Sequence, residues 1–238
     1  MVRIQVDQKD LSHVDLSIMP SLKCNLRCGF CMYACSKKQR TAELNLIKLD
    51  SFLGTVDSSK ISNVGFYGGE PSISEFLYQI YIDCVQPSIP RFIITNGSWS
   101  RDPTKTFKFL AFCQKNHLKI FVSSMKNHKR HQDRRLLKKL VSYNSIVLKE
   151  PDEIHPMGRA KKKHWTCTCK CLWHEQPIRM AIFPTGDILF QNCDGVYPVI
   201  GNISQSFQEV LDVAISIRTN TCSRCLKNLN DILEGKSI

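Results

Sequence analysis

Short apolar segments alternate with longer amphipathic segments over the first two thirds of this 238-residue chain. The apolar segments are rich in Ile, Val and Phe and end in Gly, Pro, Ser or a charge, which is typical of buried parallel strands. They are HVDLSIMP, ISNVGFYGG, PRFIITNGS, LKIFVSS and YNSIVLKE. Because parallel strands need right-handed crossovers, we predict an α/β fold with a parallel, barrel-like sheet. Five strand–helix units are too few for a closed eight-fold barrel, so the sheet should be open.

The segments between the strands have the length of helices. They are AELNLIKLDSFLGTV, SISEFLYQIYIDCV, DPTKTFKFLAFCQKNH and HKRHQDRRLLKKLVSY. In the second, Ile73, Phe76, Leu77 and Ile80 have the i, i+3, i+4, i+7 spacing of an apolar helix face. The third begins with Asp-Pro, which indicates a helix start.

The pattern changes after Glu150, where PDEIHPMGRAKKKHWTCTCKC brings Pro, Gly, lysines and three cysteines. We therefore predict a domain of residues 1–164 and a second domain of residues 165–238. In the second, IRMAIFPTGDILFQNCDGVYPVIGNIS indicates two short strands joined by the turn PTGD. A helix, SFQEVLDVAISI, and the pair CSRC follow.

Composition limits the class of protein. The chain has no run of 18 apolar residues and begins with a polar segment, so we expect a soluble, cytoplasmic protein without membrane contact. Its 12 cysteines favour metal binding, since that compartment keeps thiols reduced and a chain of this length needs no disulfide staples. The net charge of +12 indicates either a polyanionic partner or a lysine-rich solvated surface.

Cysteines dominate the loop SLKCNLRCGFCMYAC, which follows the first predicted strand. Cys24, Cys28 and Cys31 have C-x3-C-x2-C spacing, and ligand sites of parallel α/β folds lie at this end of the strands. Three thiolates on a loop can hold an Fe–S cluster. A structural zinc site needs four ligands, and Cys35 is an available fourth.

These residues resemble the signature of the radical S-adenosylmethionine (radical SAM) enzymes, in which an aromatic residue, here Phe30, precedes the last cysteine. Three further motifs carry the resemblance. YGGEP follows the second strand, ITNGS the third, and FVSSMKN the fourth, where the family has a serine-containing ribose-binding segment. The resemblance implies a partial, open (β/α) radical SAM barrel.

The resemblance also implies a cofactor set. Cys24, Cys28 and Cys31 would hold a 4Fe-4S cluster whose open iron chelates S-adenosylmethionine, and one electron would cleave that molecule to a 5'-deoxyadenosyl radical. A fourth cysteine ligand would block this iron, so Cys35 should not be a ligand. The implied cofactor-binding residues are Phe30, Gly68, Gly69, Glu70, Thr95, Asn96, Ser123, Ser124, Arg135 and Arg159.

The resemblance implies a contact for most of these residues. Gly68 and Gly69 let the backbone approach the methionyl part, and Glu70 accepts from the ammonium group. Thr95, Asn96, Ser123 and Ser124 are the candidates for the ribose hydroxyls. Arg159 lies in PMGRA, which is similar to a family element beside the active site.

The cysteines of the second domain resemble a Twitch module, the shortened form of the SPASM auxiliary-cluster extension. Its β-hairpin and helix would carry a second, auxiliary 4Fe-4S cluster on Cys171, Cys193, Cys222 and Cys225, with Cys167 or Cys169 as replacements for Cys171. A zinc site with four cysteines is the alternative. Chain length and spacing are similar to 2-deoxy-scyllo-inosamine dehydrogenase, a family member that oxidises an aminocyclitol. Cys84 and Cys113, on predicted helices, are expected to be core residues.

The sequence predicts the class of substrate less directly than it predicts the cofactors. Among auxiliary-cluster enzymes the family favours peptides or proteins. The basic chain makes a nucleotide or nucleic acid the next alternative, and an aminocyclitol or sugar comes third. No aromatic residues interleave the basic stretches, as stacking on single strands would require. A flavodoxin- or ferredoxin-type reductant would supply the electron, and an Fe–S or zinc binding protein without activity is the non-enzyme alternative.

Overall fold

The structure, a computed structural model, describes residues 13–39, 44–149, 177–191 and 199–220, and the statements below refer to these ranges. Within them the chain forms one eight-stranded sheet of order β5-β4-β3-β2-β1-β6-β7-β8. The strands are β1 Val14–Ile18, β2 Ile61–Phe66, β3 Arg91–Thr95, β4 Leu118–Ser123, β5 Val147–Lys149, β6 Ile178–Ile182, β7 Asp187–Phe190 and β8 Val199–Asn202.

The strand pairing confirms the predicted partial, open (β/α) barrel. β1 to β5 pair in parallel in the order in which they occur along the chain, and β6 joins the other side of β1, also in parallel. β7 and β8 continue the sheet as antiparallel strands. The parallel strands therefore bring their carboxyl ends to one edge, where the connecting loops can build a shared site.

Six α-helices occur in the described ranges. They are α1 Leu46–Gly54, α2 Glu75–Asp83, α3 Pro103–Lys115, α4 Lys126–Lys129, α5 Arg134–Ser142 and α6 Phe207–Asn220. The Asp-Pro start of α3 is confirmed, because Asp102 accepts from the backbone N–H groups of Thr104 and Lys105. Asp133 caps α5 in the same way. In these ranges no helix is long and apolar enough to cross a membrane.

Helix α2 buries a different face from the one that the apolar spacing indicated. Phe76 is 82% exposed and Ile73 is 46% exposed, whereas Tyr78, Tyr81 and Ile82 are buried. Hydrogen bonds of the tyrosine hydroxyls fit this orientation, since Tyr78 donates to the Tyr67 carbonyl (3.0 Å) and Tyr81 donates to the Leu44 carbonyl, just before α1. A buried tyrosine with a partner for its hydroxyl fills the core as well as an isoleucine.

The predicted hairpin around PTGD is confirmed, and its position in the sheet was not expected. Gly186 supplies the turn with φ +88°, and Phe183 donates its N–H to Asp187 (2.8 Å). The hairpin extends the same sheet as the barrel strands, because β6 pairs with β1. Phe207 of α6 packs on Phe52 of α1 with ring centroids 5.8 Å apart. The boundary at residues 164 and 165 lies outside the described ranges and stays a prediction.

Candidate active site

One cavity of about 980 Å³ lies on the concave face of the sheet and reaches the carboxyl ends of its strands. It brings together nine of the residues that the sequence singled out, from four separate segments of the chain. These lining residues are Cys24, Cys28, Phe30, Cys31, Gly68, Gly69, Thr95, Asn96 and Ser123. Distant motifs thus converge as the strand order requires.

The cysteine loop is held in place by the turn that follows β2. Gly69 donates its N–H to the Ser21 carbonyl (2.8 Å), and Glu70 donates to the Lys23 carbonyl (2.9 Å). The far end of the loop returns to the near end, since Lys23 and Ser36 form an isolated bridge. The loop is therefore tied to the sheet on both sides of the cysteines.

The two glycines of the turn are needed for this close approach. A Cβ on Gly69 would lie 1.7 Å from the Lys23 carbonyl oxygen, and one on Gly68 would lie 2.6 Å from that of Ser21. Gly68 also has φ +128°, which L side chains rarely adopt. The glycines thus serve the packing of the cysteine loop, and their contact with the methionyl part of a cofactor stays a prediction.

Nitrogen donors surround two of the three sulfurs. The Leu26 N–H lies 3.4 Å from Cys24 Sγ, and Asn96 Nδ2 lies 3.8 Å from the same sulfur. The Cys35 N–H donates to Cys31 Sγ at 3.3 Å. Hydrogen bonds to sulfur stabilise its charged form, and they tune clusters that thiolates hold.

The thiol of Cys24 is not a nucleophile at neutral pH. Burial is the main cause that raises its pKa to about 12, and the charge of Glu70 contributes to the rise. A free thiol of this kind is inert at neutral pH, whereas a bound metal removes its proton outright. In the described part of the chain, no three Cys, His, Asp or Glu side chains are gathered closely enough to hold a single ion.

Cys35 is buried, as Cys24 is, and it also lines the cavity. Its thiol donates to the Gly68 carbonyl at 3.1 Å. Its side chain therefore binds the turn after β2, which supports the expectation that it is not a cluster ligand. Cys113 is buried in the core as expected, and Cys84 ends α2 with its thiol donating to the Ile80 carbonyl (3.5 Å).

Glu70 is buried and is not among the residues that line the cavity, and its carboxylate accepts several hydrogen bonds. Its Oε1 accepts from the Thr95 hydroxyl (2.6 Å) and from the hydroxyl (2.7 Å) and N–H (3.1 Å) of Ser72. Its Oε2 accepts from the Asn96 N–H at 2.7 Å. Burial raises the pKa of this carboxyl and the hydrogen bonds oppose the rise. The carboxyl thus couples the turn after β2 to the end of β3.

Thr95 was expected to contact a ribose, and its hydroxyl is already saturated. It donates to Glu70 and accepts from the Gly97 N–H and from Trp99 Nε1, both at 3.1 Å. One hydroxyl has one proton and two lone pairs, so no capacity is left. Asn96 is engaged as well, since its amide donates to Asn25 Oδ1 at 2.9 Å. Both residues position the end of β3 in this structure.

The end of β4 adds a histidine that sequence reasoning missed. His128 lines the cavity, its Nδ1 lies 2.8 Å from Ser123 Oγ, and its ring lies 5.4 Å from that of Phe30. Burial lowers the pKa of His128 to about 4, and the charge of His131 adds to this, so the ring is neutral at pH 7. The spacing of residues in SMKNHK does not predict that this histidine lines the cavity. Its position depends on how the segment after β4 folds over that strand.

The neighbouring Ser124 is buried, and its Oγ has no hydrogen-bond partner within the described ranges. A buried hydroxyl without a partner is rare, and a bound molecule commonly supplies the missing bond. Ser124 stands just outside the cavity lining, one residue after Ser123. Its predicted ligand contact therefore remains open to test.

A second group that the motifs did not mark links three loops across the cavity. Tyr67 donates its hydroxyl to Gln191 Oε1 at 3.0 Å, and Gln191 Nε2 donates to the Tyr33 hydroxyl at 3.0 Å. All three residues line the cavity. They join the cysteine loop, the end of β2 and the end of β7.

The remaining predicted residues lie elsewhere. Arg135 is exposed on α5 and is not among the residues that line the cavity. The others fall outside the described residues: Arg159, Cys167, Cys169, Cys171, Cys193, Cys222 and Cys225. The auxiliary site therefore stays a prediction.

The fold of this chain is similar to that of several solved structures. No protein-family model matches the sequence, and no curated protein matches it. BtrN in complex with AdoMet and 2-DOIA shares 19% sequence identity with this chain, with a TM-score of 0.61 over 95% of this chain and 90% of BtrN. SuiB of Streptococcus suis bound to precursor peptide SuiA has 16% identity and a TM-score of 0.47 over 93% and 70% of the two chains. anSMEcpe with AdoMet and the Cp18Cys peptide has 14% identity and a TM-score of 0.46 over 91% and 87%.

At these identities the comparison bears on the fold alone. The strand order, the concave cavity and the BtrN superposition agree with the expectation from the four sequence motifs. The chain therefore has the partial, open (β/α) barrel fold of the radical SAM enzymes.

Proposed function

We propose that this protein is a radical SAM enzyme that cleaves S-adenosylmethionine reductively and abstracts a hydrogen atom from a substrate. The observation that carries the proposal is the convergence of nine motif residues from four segments on one cavity. The glycine turn after β2 alone would be an ordinary strand-to-helix turn, and the serines at the end of β4 alone would mean little. Their joint placement, with the cysteine loop tied to the glycine turn, is what a cluster-and-cofactor site requires.

The donor set fits a 4Fe-4S cluster. Cys24, Cys28 and Cys31 provide three thiols on one loop, and backbone N–H groups already point at the sulfurs of Cys24 and Cys31. When bound, such a cluster supplies one electron to the sulfonium of S-adenosylmethionine, whose cleavage gives a 5'-deoxyadenosyl radical. Cys35 keeps its thiol on the Gly68 carbonyl, so three protein ligands remain.

The chain's other residues bind and orient the cofactor. Phe30 and His128 are candidates to contact its adenine, because both rings line the cavity side by side and His128 is neutral. Ser123 and the unpartnered Ser124 hydroxyl are the candidates for its ribose. Glu70, Thr95 and Asn96 hold the turn and strand ends in register, and any direct cofactor contact by Glu70 would come in addition to that role.

A second, auxiliary 4Fe-4S cluster on Cys171, Cys193, Cys222 and Cys225 is part of the same proposal. Four cysteines would make a closed site suited to electron transfer, and zinc is the alternative occupant. With this cluster as electron acceptor the net reaction would be an oxidation or a cross-link. A flavodoxin- or ferredoxin-type protein would be the reductant, and a peptide or protein, a nucleotide or an aminocyclitol would be the substrate.

The test is anaerobic reconstitution followed by analysis of metal and product. We expect about four irons and four sulfides per cluster, little zinc, and formation of 5'-deoxyadenosine from S-adenosylmethionine after reduction. Cys28→Ala should abolish 5'-deoxyadenosine formation. Cys84→Ala, a cysteine on α2 that does not line the cavity, is the matched control and should retain it.

Two results would contradict the proposal. If intact iron clusters form and no 5'-deoxyadenosine appears, the protein is an Fe–S binding protein without this activity. If zinc occupies the sites and iron does not, the resemblance to the family ends at the fold.

A further inference from the structure

The half of the cavity away from the cysteine loop is lined by basic and aromatic side chains that the proposed cofactor site does not use. Two cations line this half, Lys119 on β4 and Arg179 on β6, whereas Lys149 ends β5 opposite Ser123 and so lies at the cofactor end. Lys119 and Arg179 are the second residues of their strands, so they lie near the amino ends. At about 3.3 Å per residue, Lys119 stands roughly 13 Å along β4 from Ser123 at the cofactor end.

We call this half of the cavity, with Lys119, Arg179, Phe92 and Phe121, the basic and aromatic wall. Positive charge is in excess among the residues that line the cavity. Of the described residues that line the cavity, four are Lys or Arg and one, Asp15, is a carboxylic acid. Asp15 accepts a hydrogen bond from Asn63 and pairs in register with Arg179, so the charges of Asp15 and Arg179 offset each other and three cations remain in excess. A concave surface with excess charge of one sign concentrates ligands of the other sign.

Aromatic rings adjoin the lysine on this wall. Phe92 and Lys119 are register neighbours on β3 and β4, and Phe121 follows Lys119 on the same face. The rings of Phe92 and Phe121 meet edge to face, with centroids 5.4 Å apart and an interplanar angle of 86°. Lys119 Nζ lies 5.3 Å from the centroid of Phe121. The wall thus offers a cation and a partly exposed ring side by side.

We propose that the substrate of this enzyme is a small phosphate-bearing molecule with a planar ring, of the nucleotide class. Lys119 receives the anionic group near the amino end of β4, and Phe92 and Phe121 beside it contact the planar ring of the substrate. The reacting carbon then points toward the cysteine loop. Lysine and arginine make charge-assisted hydrogen bonds to phosphate, and aromatic side chains stack on bases without regard to sequence.

The alternatives fit this wall less well. An aminocyclitol is cationic at neutral pH and would meet excess positive charge. An acidic peptide would satisfy the cations and leave the rings without a planar partner. The cavity volume of about 980 Å³ is near the upper end for small-molecule sites, so a cofactor and one small molecule can share it.

This inference rests on the proposed function, and binding experiments test it separately from catalysis. The probes are the four ribonucleoside 5'-monophosphates, the matching nucleosides, inorganic phosphate and a tetraglutamate peptide. Their affinities for the reconstituted protein with S-adenosylmethionine present are measured by anaerobic titration calorimetry. We expect the tightest nucleotide to bind at least about tenfold better than its nucleoside, and its affinity to fall as salt rises.

Substitutions test separately the two contacts proposed for the nucleotide: the lysine with its phosphate and the phenylalanine with its base. Lys119→Gln should weaken nucleotide binding about tenfold, whereas Lys119→Arg should retain it. Lys115→Gln, at an exposed lysine of α3 that is not part of the cavity lining, is the control and should bind normally. Phe121→Leu should weaken binding of the nucleotide about fivefold or more and leave inorganic phosphate unaffected.

Three outcomes would overturn the inference: equal affinity for nucleotide and nucleoside, equal effects of Lys119→Gln and Lys115→Gln, or tighter binding of tetraglutamate than of any nucleotide. The proposed function is judged on its own measurement. If 5'-deoxyadenosine forms and no nucleotide binds, only the substrate class is wrong. If nucleotides bind and no 5'-deoxyadenosine forms, the radical reaction is wrong.

Discussion

The two contacts of Cys35 are made by different parts of the residue. Its backbone N–H donates to the Cys31 sulfur, and its thiol donates to the Gly68 carbonyl. Any residue other than proline retains the first contact, whereas only a donor side chain retains the second. The thiol thus contributes to packing and to the turn after β2, and the backbone contributes to the environment of a proposed cluster ligand.

Cys35→Ala should therefore preserve the iron content and the 5'-deoxyadenosine yield and lower the free energy of unfolding by about 1–2 kcal/mol. Iron analysis, product assay and thermal melting measure the three quantities. Cys31→Ala is the comparison and should lose iron. A Cys35→Ala protein that also loses iron would show that Cys35 is a ligand.

Gly69 has no room for a side chain because the Lys23 carbonyl lies where its Cβ would be. We expect Gly69→Ala to displace the cysteine loop, and to reduce both the iron retained after reconstitution and the melting temperature. Gly54→Ala is the control: it ends α1 with nothing within 4 Å of the added carbon, and should be neutral or stabilise by up to about 1 kcal/mol. Equal iron content in the two variants would contradict the packing argument.

His128 should make stability depend on pH. Its pKa falls from 6.5 to about 4 on folding, so the unfolded chain takes up the proton first as the pH drops. This stabilisation is complete above about pH 6.5 and is lost as the pH falls to about 4, at most about 1.4 kcal/mol per pH unit. Chemical denaturation of His128→Gln should show a smaller decline than wild type across this window. Parallel curves for the two proteins would refute the assignment.

At the scale of elements, the loops around the cavity are joined through the buried carboxylate of Glu70, which does not line the cavity. Glu70 accepts hydrogen bonds from Ser72, Thr95 and Asn96, which joins the turn after β2 to the end of β3. The Asn96 amide in turn reaches Cys24. Glu70, which the sequence motif assigned to cofactor binding, therefore also connects the turn after β2 to the end of β3.

Glu70→Gln should weaken this joint, because an amide has one acceptor oxygen where the carboxylate receives four hydrogen bonds. Leaving one buried donor unpaired costs about 1–3 kcal/mol, so we expect lower stability and lower iron retention. Glu75→Gln at the start of α2 is the matched control. Comparable losses in both variants would remove the special role of Glu70.

The sequence predicted the elements well and their orientations less well. Alternation and turn residues place β1 to β5 and the helices between them, since those signals are local. They did not predict which face of α2 is buried, because the tyrosine hydroxyls that fit this orientation have distant partners. They also missed His128, whose position depends on how the segment after β4 folds over the strand.

At the scale of the whole molecule, the sheet brings together residues that lie far apart in sequence. β6, about 160 residues after β1, pairs with it in parallel, and Lys119 and Phe92 become neighbours across β3 and β4. Basic stretches in the sequence lack interleaved aromatic residues, yet strand pairing places rings beside Lys119. Local patterns carry no information on such pairings, so neither the central place of β6 nor the basic and aromatic wall was predicted.

The position of β6 predicts how the chain can be divided. Ile178, Met180 and Ile182 are fully buried and belong to the same core as Val14 and Ile18 of β1. A fragment that ends at Lys149 would expose this side of β1 to water as an unpaired apolar edge. We therefore expect residues 1–149 alone to aggregate or to lack a cooperative thermal transition in circular dichroism.

The full chain, prepared and measured in the same way, is the control, and limited proteolysis provides a second measurement of folding. A fragment that melts cooperatively within a few degrees of the full chain would show that the barrel strands fold without β6. That outcome would favour a barrel domain that is separable from the second domain, with the boundary predicted at residues 164 and 165. Aggregation of the fragment, with a single transition for the full chain, would show instead that the sheet folds as one unit, because β6, which completes the core beside β1, follows all five barrel strands in the sequence.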